Sequence, residues 1–355
     1  GASIQARLYA EDPAQDYRPS SGCLIEAAFP SDVRVETWVA SGSQVSAHYD
    51  PMLAKLIVTA DDRESAVKAL QRALDETRLG GIETNLDWLR MVARSAAFTS
   101  GKVSTRALAE MVHHQRSIQV ISGGAATTVQ DYPGRVGYWD VGVPPSGPMD
   151  ALAFRLGNRL LGNPENAAGL EITAVGPTLR FTGPVRFILT GAAFDATLDG
   201  LRIDSYISTS ASAGQTLKIG RVTGAGLRGY LLFDGGIDAP FYLNSRAAFT
   251  LGNFGGHAGR AVTAGDALHL LAPQGASPAD IRNLPEITHD WTLRVLYGPH
   301  GAPDFFTRND IDALLSAEWR VHYNSNRTGI RLTGPKPEWA RTDGGEAGLH
   351  PSNIH

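Results

Sequence analysis

Two stretches of the chain concentrate side chains that could do chemistry. Val143-Pro-Pro-Ser-Gly-Pro148 sets three prolines and a glycine around Ser146, directly before a helical pattern that opens at Asp150. Proline fixes φ, so the loop is rigid, and the helix start behind it offers unpaired N–H groups and a positive dipole end. An anionic group could bind there; the alternative is a rigid turn that only feeds the helix. The second stretch runs Tyr323-Asn-Ser-Asn-Arg-Thr328, then Arg341-Thr-Asp-Gly-Gly-Glu346 and His350-Pro-Ser-Asn-Ile-His355. Its amide, guanidinium, carboxylate and imidazole groups suit a polar substrate with several hydrogen-bonding sites. A cluster of solvated loops is the other reading.

Several chemistries find no residues. The chain has no P-loop, GxSxG, HExxH or CxxC pattern. Gly252-Asn-Phe-Gly-Gly256 is glycine-rich, but no strand-then-helix context makes it a phosphate loop. His113 and His114 are adjacent, so on a helix they point about 100° apart and cannot readily share a metal. They are expected at the surface, and no metal site is expected. The single cysteine, Cys23, excludes an internal disulfide framework and a multi-cysteine metal centre.

The elements around these stretches change character along the chain. Ile4 to Tyr9 and Arg34 to Val39 alternate apolar and polar residues as strands do, and Lys55 to Val58 is a short buried strand. Asp61-Asp62 caps a helix with Ala66, Leu70, Ala73 and Leu74 on one face, expected to end at Gly80-Gly81. A second helix is expected from Thr84 or Asn85 through Leu86, Leu89 and Val92. A third is expected from Ser104 or Thr105, with Leu108 and Met111 inward. After Arg116 short strands and turns dominate. The exception is a helix from Asp150, its N-cap, to Leu161, stopped by Gly162. Asp199-Gly200 between two short apolar strands suits a type I′ hairpin. Leu217 to Val222 and Tyr230 to Phe233 are further strands. Pro273 to Pro285 reads as a linker, followed by a strand over Thr292 to Leu296 and a helix over Thr307 to Leu315.

The bulk numbers agree with a soluble protein of two or three domains. The 355 residues are 43% hydrophobic and 19% charged, with a net charge of −4. No basic run recruits nucleic acid or an anionic membrane, and no apolar run is long enough for a membrane-spanning helix. A cytoplasmic location fits the cysteine usage. Gly1 in place of methionine and the abrupt stop at His355 lead us to expect a fragment cut from a longer protein at both ends.

Ile4-Gln-Ala-Arg-Leu-Tyr-Ala-Glu-Asp-Pro13, Arg18-Pro-Ser-Ser-Gly22, Val33-Arg-Val-Glu36, Tyr49-Asp-Pro-Met-Leu-Ala-Lys-Leu-Ile57 and Gly80-Gly-Ile-Glu-Thr-Asn85 resemble, in order and spacing, the C-terminal domain of biotin carboxylases. Thr127-Thr-Val-Gln-Asp-Tyr-Pro-Gly-Arg135, Gly137 to Asp150, Glu171-Ile-Thr173, Gly235-Gly-Ile-Asp238, Ser325 to Arg331 and Gly334 to Trp339 resemble a second family. That family is the carboxyltransferase half labelled allophanate hydrolase subunit 2, related to a 5-oxoprolinase subunit. The two occur in this order in urea carboxylases and urea amidolyases.

The resemblance implies an α+β fold: a biotin carboxylase C-terminal α+β domain over 1–115, then a mainly-β, cyclophilin-like barrel carboxyltransferase. The latter would run over 116–280 and continue, truncated, over 281–355. It implies a ligase in which ATP, Mg²⁺ and bicarbonate carboxylate biotin, and the carboxyl group passes to urea to give allophanate. The ATP-binding part and the biotinyl-lysine carrier lie outside this chain, so the fragment alone is expected to be inactive. Arg34 would sit beside the ureido oxygen of biotin as a permanently charged donor, with Tyr49, Asp50 and Lys55 bracing that wall. Urea offers one acceptor and four N–H donors, and one nitrogen must lose a proton as it attacks, so a base is required. Asp140, Ser146, Asn326, Arg327, Asp343, Glu346, His350 and His355 are the candidates on the acceptor side. The expected partners are the carrier domain, urea or a similar small amide, the remainder of the carboxylase, and a second copy in the intact enzyme. Guanidine as the acceptor, a biotin-free 5-oxoprolinase-type role and a non-catalytic remnant are the rival readings.

Overall fold

The computed structural model describes residues 1–101, 108, 111, 116–273, 275, 277–279, 283–298, 301–327 and 329–340. The chain divides into two compact units, Gly1–His289 and Asp290–His355.

The first unit opens with an antiparallel three-stranded sheet in the order Ala2–Tyr9, Met52–Ala60, Arg34–Thr37. Period-two alternation gives this sheet two chemistries. Ala6, Leu8, Ala54, Leu56 and Val58 are buried, while Arg7, Arg34 and Glu36 face solvent. Helix α1 (Arg63–Glu76) covers the apolar side with Ala66, Val67, Leu70, Ala73 and Leu74, and the Asp62 carboxylate caps its start by accepting from the Ser65 amide. The helix stops at Glu76, earlier than the glycine pair suggested. Arg78–Gly80 is recruited as a strand against Glu26–Ala28, a long-range pairing that local glycine chemistry does not report. Helix α2 (Leu86–Arg94) follows as expected, then the short α3 (Ala96–Thr99), capped by Ser95. The start of the expected third helix, at Ser104 or Thr105, lies outside the described residues. Leu108, expected inward, lies in a turn and is exposed.

From Ser117 onward the strands form two sheets. One has six strands in the order Leu201–Arg202, Phe194–Leu198, Thr216–Val222, Thr178–Phe181, Ser117–Ser122, Ala267–His269. The other has five, in the order Ala126–Gln130, Gly169–Thr173, Arg228–Phe233, Val185–Gly191, Thr209–Ala211. One apolar cluster joins them, including Ile118, Leu179, Phe181, Phe187, Leu217, Leu231 and Phe233. The five-stranded sheet is buried on its other face as well. There Ile188, Tyr230 and Leu232 meet Ala153, Phe154 and Leu161 of helix α4 (Ala151–Leu161). Burial on both faces explains why Tyr230 to Phe233 reads as an unbroken apolar run rather than an alternation. Helix α4 has the caps expected: the Asp150 carboxylate accepts from the Ala153 amide, and Gly162 closes it in the left-handed region. At the Asp199-Gly200 turn both residues have positive φ, +48° and +84°, the geometry a type I′ hairpin needs. The α+β class and the β-rich second part are as expected.

In the second unit, helix α5 (Arg308–Ser316) starts in a capping box between Thr307 and Asp310. Arg320–Val321 pairs with Leu332–Thr333. The strand expected over 292–296 is not formed. Leu293, Val295 and Leu296 are exposed, and no strand among the described residues pairs with them.

Candidate functional site

On the open face of the first sheet, ladder register decides which side chains meet. Arg34 pairs with Ile57 and Glu36 with Lys55, so Arg34, Glu36 and Lys55 share one face. Arg34 Nη2 donates to Glu36 Oε1, and Lys55 Nζ lies 3.8 Å from Glu36 Oε2. The hydrogen bond from Arg34, helped by its charge, holds the Glu36 carboxyl below its ordinary range. The Arg34 side chain is 71% exposed, so its guanidinium faces outward and is available to a ligand. Lys55 is half-buried beside it. Tyr49 and Asp50 occupy the exposed turn before Met52–Ala60. Asp50 Oδ1 accepts from the Met52 amide at 2.8 Å, so Asp50 shapes the turn rather than joining Arg34. Glu36 stands in the sequence only as part of a motif, and its pairing with Arg34 is not among the expectations. Opposite charges two apart on a strand were the available signal.

The loop around Ser146 is held from two sides. The first is the turn Tyr132-Pro-Gly-Arg135, nested into it. The Arg135 amide donates to Pro145 O, and Gly134 and Gly147 touch so closely that a Cβ on Gly134 would lie 2.5 Å from Pro145 O. Arg135 itself is buried. Its Nε donates to Tyr242 O at 2.9 Å, its Nη2 to Ala247 O at 2.7 Å, and the guanidinium lies 5.0 Å from the Phe254 ring centroid. Ser146 has φ +58°, a left-handed backbone that costs a non-glycine residue roughly 1–2 kcal/mol. The second side is the entry to α4. There the Met149 amide donates to Glu171 Oε2 at 2.9 Å and the Asp150 amide to the Tyr230 hydroxyl oxygen at 2.6 Å. Tyr230 donates in turn to Glu171 Oε2 at 3.1 Å. Burial, reinforced by the Glu171 charge, pushes the Tyr230 phenol up. Arg135, Glu171 and Tyr230 were not among the candidates. Arg135 and Glu171 stood only inside family motifs, and their burial could not be read from those.

Asp140 lies in the short 3-10 turn Trp139–Val141, exposed, with Trp139 and Val141 beside it also exposed. Asn326 and Arg327 lie in the second unit. There Asn326 and Gly329 form an isolated bridge, and the Arg327 amide donates to Asn326 Oδ1 at 2.7 Å. Asp343, Glu346, His350 and His355 lie outside the described residues.

A cleft of about 420 Å³ opens elsewhere, where the first sheet's domain meets the sheet pair. Arg78, Arg90, Arg116, Asp87, Asp238 and His269 are among its lining residues. Its arginines are already engaged: Arg78 with Asp238 and Glu26, Arg90 with Asp87, and Arg116 with Asp234. These pairs, with Ala267 N donating to Gly81 O and His269 Nε2 lying 3.2 Å from Glu83 Oε2, make the cleft a structural seam.

Comparison with known proteins matches both halves. The family model of the biotin carboxylase C-terminal domain matches residues 5–110, and that of the carboxyltransferase domain, subdomain A and B, matches residues 141–355. The urea amidolyase of Lachancea kluyveri is 48% identical over 370 residues, covering 100% of this chain and 20% of its own. The crystal structure of the Kluyveromyces lactis urea carboxylase superposes over 100% of this chain with TM-score 0.87 and 47% identity, using 32% of that chain. A 5-oxoprolinase subunit of Haemophilus influenzae is 34% identical over 61% of this chain and 68% of its own length. The chain spans about a fifth of the length of the urea amidolyases it matches. It belongs to the family of the carboxyltransferase domain, subdomains A and B, here joined to a biotin carboxylase C-terminal domain, a combination that urea amidolyases match along its whole length.

Proposed function

We propose that this chain is part of an ATP- and biotin-dependent urea carboxylase, a ligase that carboxylates biotin and hands the carboxyl group to urea, giving allophanate. The observation that carries the reading is the tandem: both domains lie on one chain, matched from end to end by urea amidolyases. In this reading 1–115 is the biotin carboxylase tail, and 116–280 and 281–355 are the two parts of the carboxyltransferase. The 5-oxoprolinase likeness covers 61% of the chain and leaves the biotin carboxylase domain without a task. No helix among the described residues is long and apolar enough to cross a membrane, and a cytoplasmic workplace accords with the single buried Cys23.

The residues fit a biotin site. When bound, biotin supplies the carboxyl carrier, on a carrier domain outside this chain. ATP and Mg²⁺ would be held mainly by parts outside it too. Arg34 offers a permanently charged donor for a developing negative oxygen. Glu36 and Lys55 restrict where the guanidinium can swing, and Tyr49 and Asp50 form the adjoining turn. On the acceptor side, Ser146 presents a hydroxyl from a rigid loop and Asp140 an exposed carboxylate able to take a proton from a urea nitrogen. In the second unit, taken by itself, Asn326 and Arg327 carry amide and guanidinium groups of the types that urea's acceptor and donors call for, and Asp343, Glu346, His350 and His355 are further candidates by residue type.

The test is ATP-dependent fixation of labelled bicarbonate by the intact parent protein, with urea and guanidine as competing acceptors. The expected outcome is biotin-dependent label in carboxyurea, with guanidine a poor second. Preference for guanidine, or turnover indifferent to biotin, refutes the reading.

A further inference from the structure

We infer that Glu171 is a positioning residue, which with Tyr230 clamps the end of the Ser146 loop, at the entry to helix α4, to the five-stranded sheet. The inference rests on the proposed carboxyltransferase role of that loop. Glu171 sits in the middle of strand Gly169–Thr173, between Leu170 and Ile172, which point into the core between the sheets. Alternation therefore sends its carboxylate to the opposite face, the one under α4. It is only 3% exposed, and the apolar residues packed on that face include Phe154, Ile188 and Leu232. A buried carboxylate in an apolar layer is costly unless its oxygens are bonded.

Two of its bonds lead to the loop. Oε2 accepts from the Met149 amide at 2.9 Å and from the Tyr230 hydroxyl at 3.1 Å. The same hydroxyl accepts from the Asp150 amide at 2.6 Å. Glu171 and Tyr230 are direct cross-strand partners, so strand register sets the spacing of the two acceptors. Arg228, two residues before Tyr230, places Nε 3.4 Å from Glu171 Oε1 and balances the charge. Two consecutive amides just ahead of the first helical turn are thus bound to rigid sheet. These amides follow Pro148 and close a loop whose Ser146 already has φ +58°. Asp150 fixes a further amide by capping Ala153 at 2.9 Å. The clamp holds Ser146 in a conformation its own backbone disfavours.

The experiment uses the intact parent protein with Glu171→Ala, Glu171→Gln and Tyr230→Phe. A misplaced loop costs rate in the transfer step: Glu171→Ala should lower urea-dependent kcat about 10²-fold, since displacements near 1 Å have that effect. Tyr230→Phe should give a smaller loss, and Glu171→Gln, which still offers Met149 an acceptor, should recover most of the rate. Biotin-dependent ATP hydrolysis should be unchanged in all three. Hydrogen exchange at the Met149 and Asp150 amides should accelerate in Glu171→Ala whatever the acceptor is, so the clamp is tested separately from the identity of the substrate. Tyr230→Phe keeps the test alive if Glu171→Ala fails to fold. Unchanged exchange at these amides, or parallel loss of both half-reactions, overturns the inference.

Discussion

At the scale of single residues, the two halves of the candidate chemistry are presented differently. Arg34 is displayed on the exposed face of a sheet, where its ion pair is with Glu36. Ser146 is held by a nest of loops that own most of its freedom. A residue displayed in this way can be removed at little structural cost. Arg34→Ala should leave the melting temperature of the chain nearly unchanged, because exposed ion pairs contribute little. In the parent protein it should lower biotin-dependent ATP hydrolysis by about 10²–10³-fold, the usual cost of losing one preorganised donor to a developing oxyanion. Side-by-side calorimetry and an ATPase assay check both halves. A large loss of stability would give Arg34 a structural role, and no loss of activity would leave it a surface arginine. Arg34 could be put forward from the sequence because its family motif is local. Glu171 could not, because its proposed role depends on burial, and burial is decided by how helix α4 packs and by pairing with the remote strand Arg228–Phe233.

At the scale of elements, turn and cap chemistry was the most legible feature. Asp150 and Gly162 bound α4 where their types said they would, and Asp199-Gly200 makes its hairpin. Legibility failed where partners were remote. Helix α1 ends before its glycines because Arg78–Gly80 finds Glu26–Ala28, and 292–296 has no described strand to pair with. The nested pair Gly134 and Gly147 belongs to the same class: each looks like an ordinary turn glycine, and only contact explains both. Gly147 has φ +75°, and a Cβ there would lie 2.8 Å from Pro133 O. Gly147→Ala should therefore destabilise the chain by more than the ~1 kcal/mol typical of strained glycine positions, through the lost left-handed freedom and the backbone clash together. Gly200→Ala, at φ +84° with open space around it, should cost only the conformational part, ~1 kcal/mol. Urea unfolding of the two variants ranks them, and an equal cost would mean the two loops do not press on each other.

At the scale of the whole first unit, the seam between its two domains is a buried polar junction, and it should respond to pH. His269 ends the strand Ala267–His269 and lies mostly buried beside Glu83, which also accepts from Ser117 Oγ. Asp87, Asp238, Arg78 and Arg116 face the same space. Burial alone would lower the His269 pKa, but the hydrogen bond and charge of Glu83, with Asp87 and Asp238 behind it, raise it above the ordinary value. A histidine whose folded value is raised contributes stability that is complete below the unfolded value, ~6.5, and lost as pH climbs through the folded one. The turn before this strand has the opposite sign. Burial would raise the Asp266 carboxyl, yet Arg260, His257 and the Thr263 amide hold it well below the usual range. Its contribution is present above ~4 and lost as pH falls through the folded value. The seam should therefore be tightest between these limits and loosen on the alkaline side first through His269. Unfolding midpoints of the chain taken at about pH 6 and about pH 8.5 should fall with rising pH, and His269→Gln should remove that slope while leaving the acid limb, carried by Asp266, in place. An alkaline slope that survives the substitution would assign it to a group outside the seam, and the junction would then owe its strength to contacts that do not titrate there, such as Arg78–Asp238 and the Gly81–Ala267 bridge.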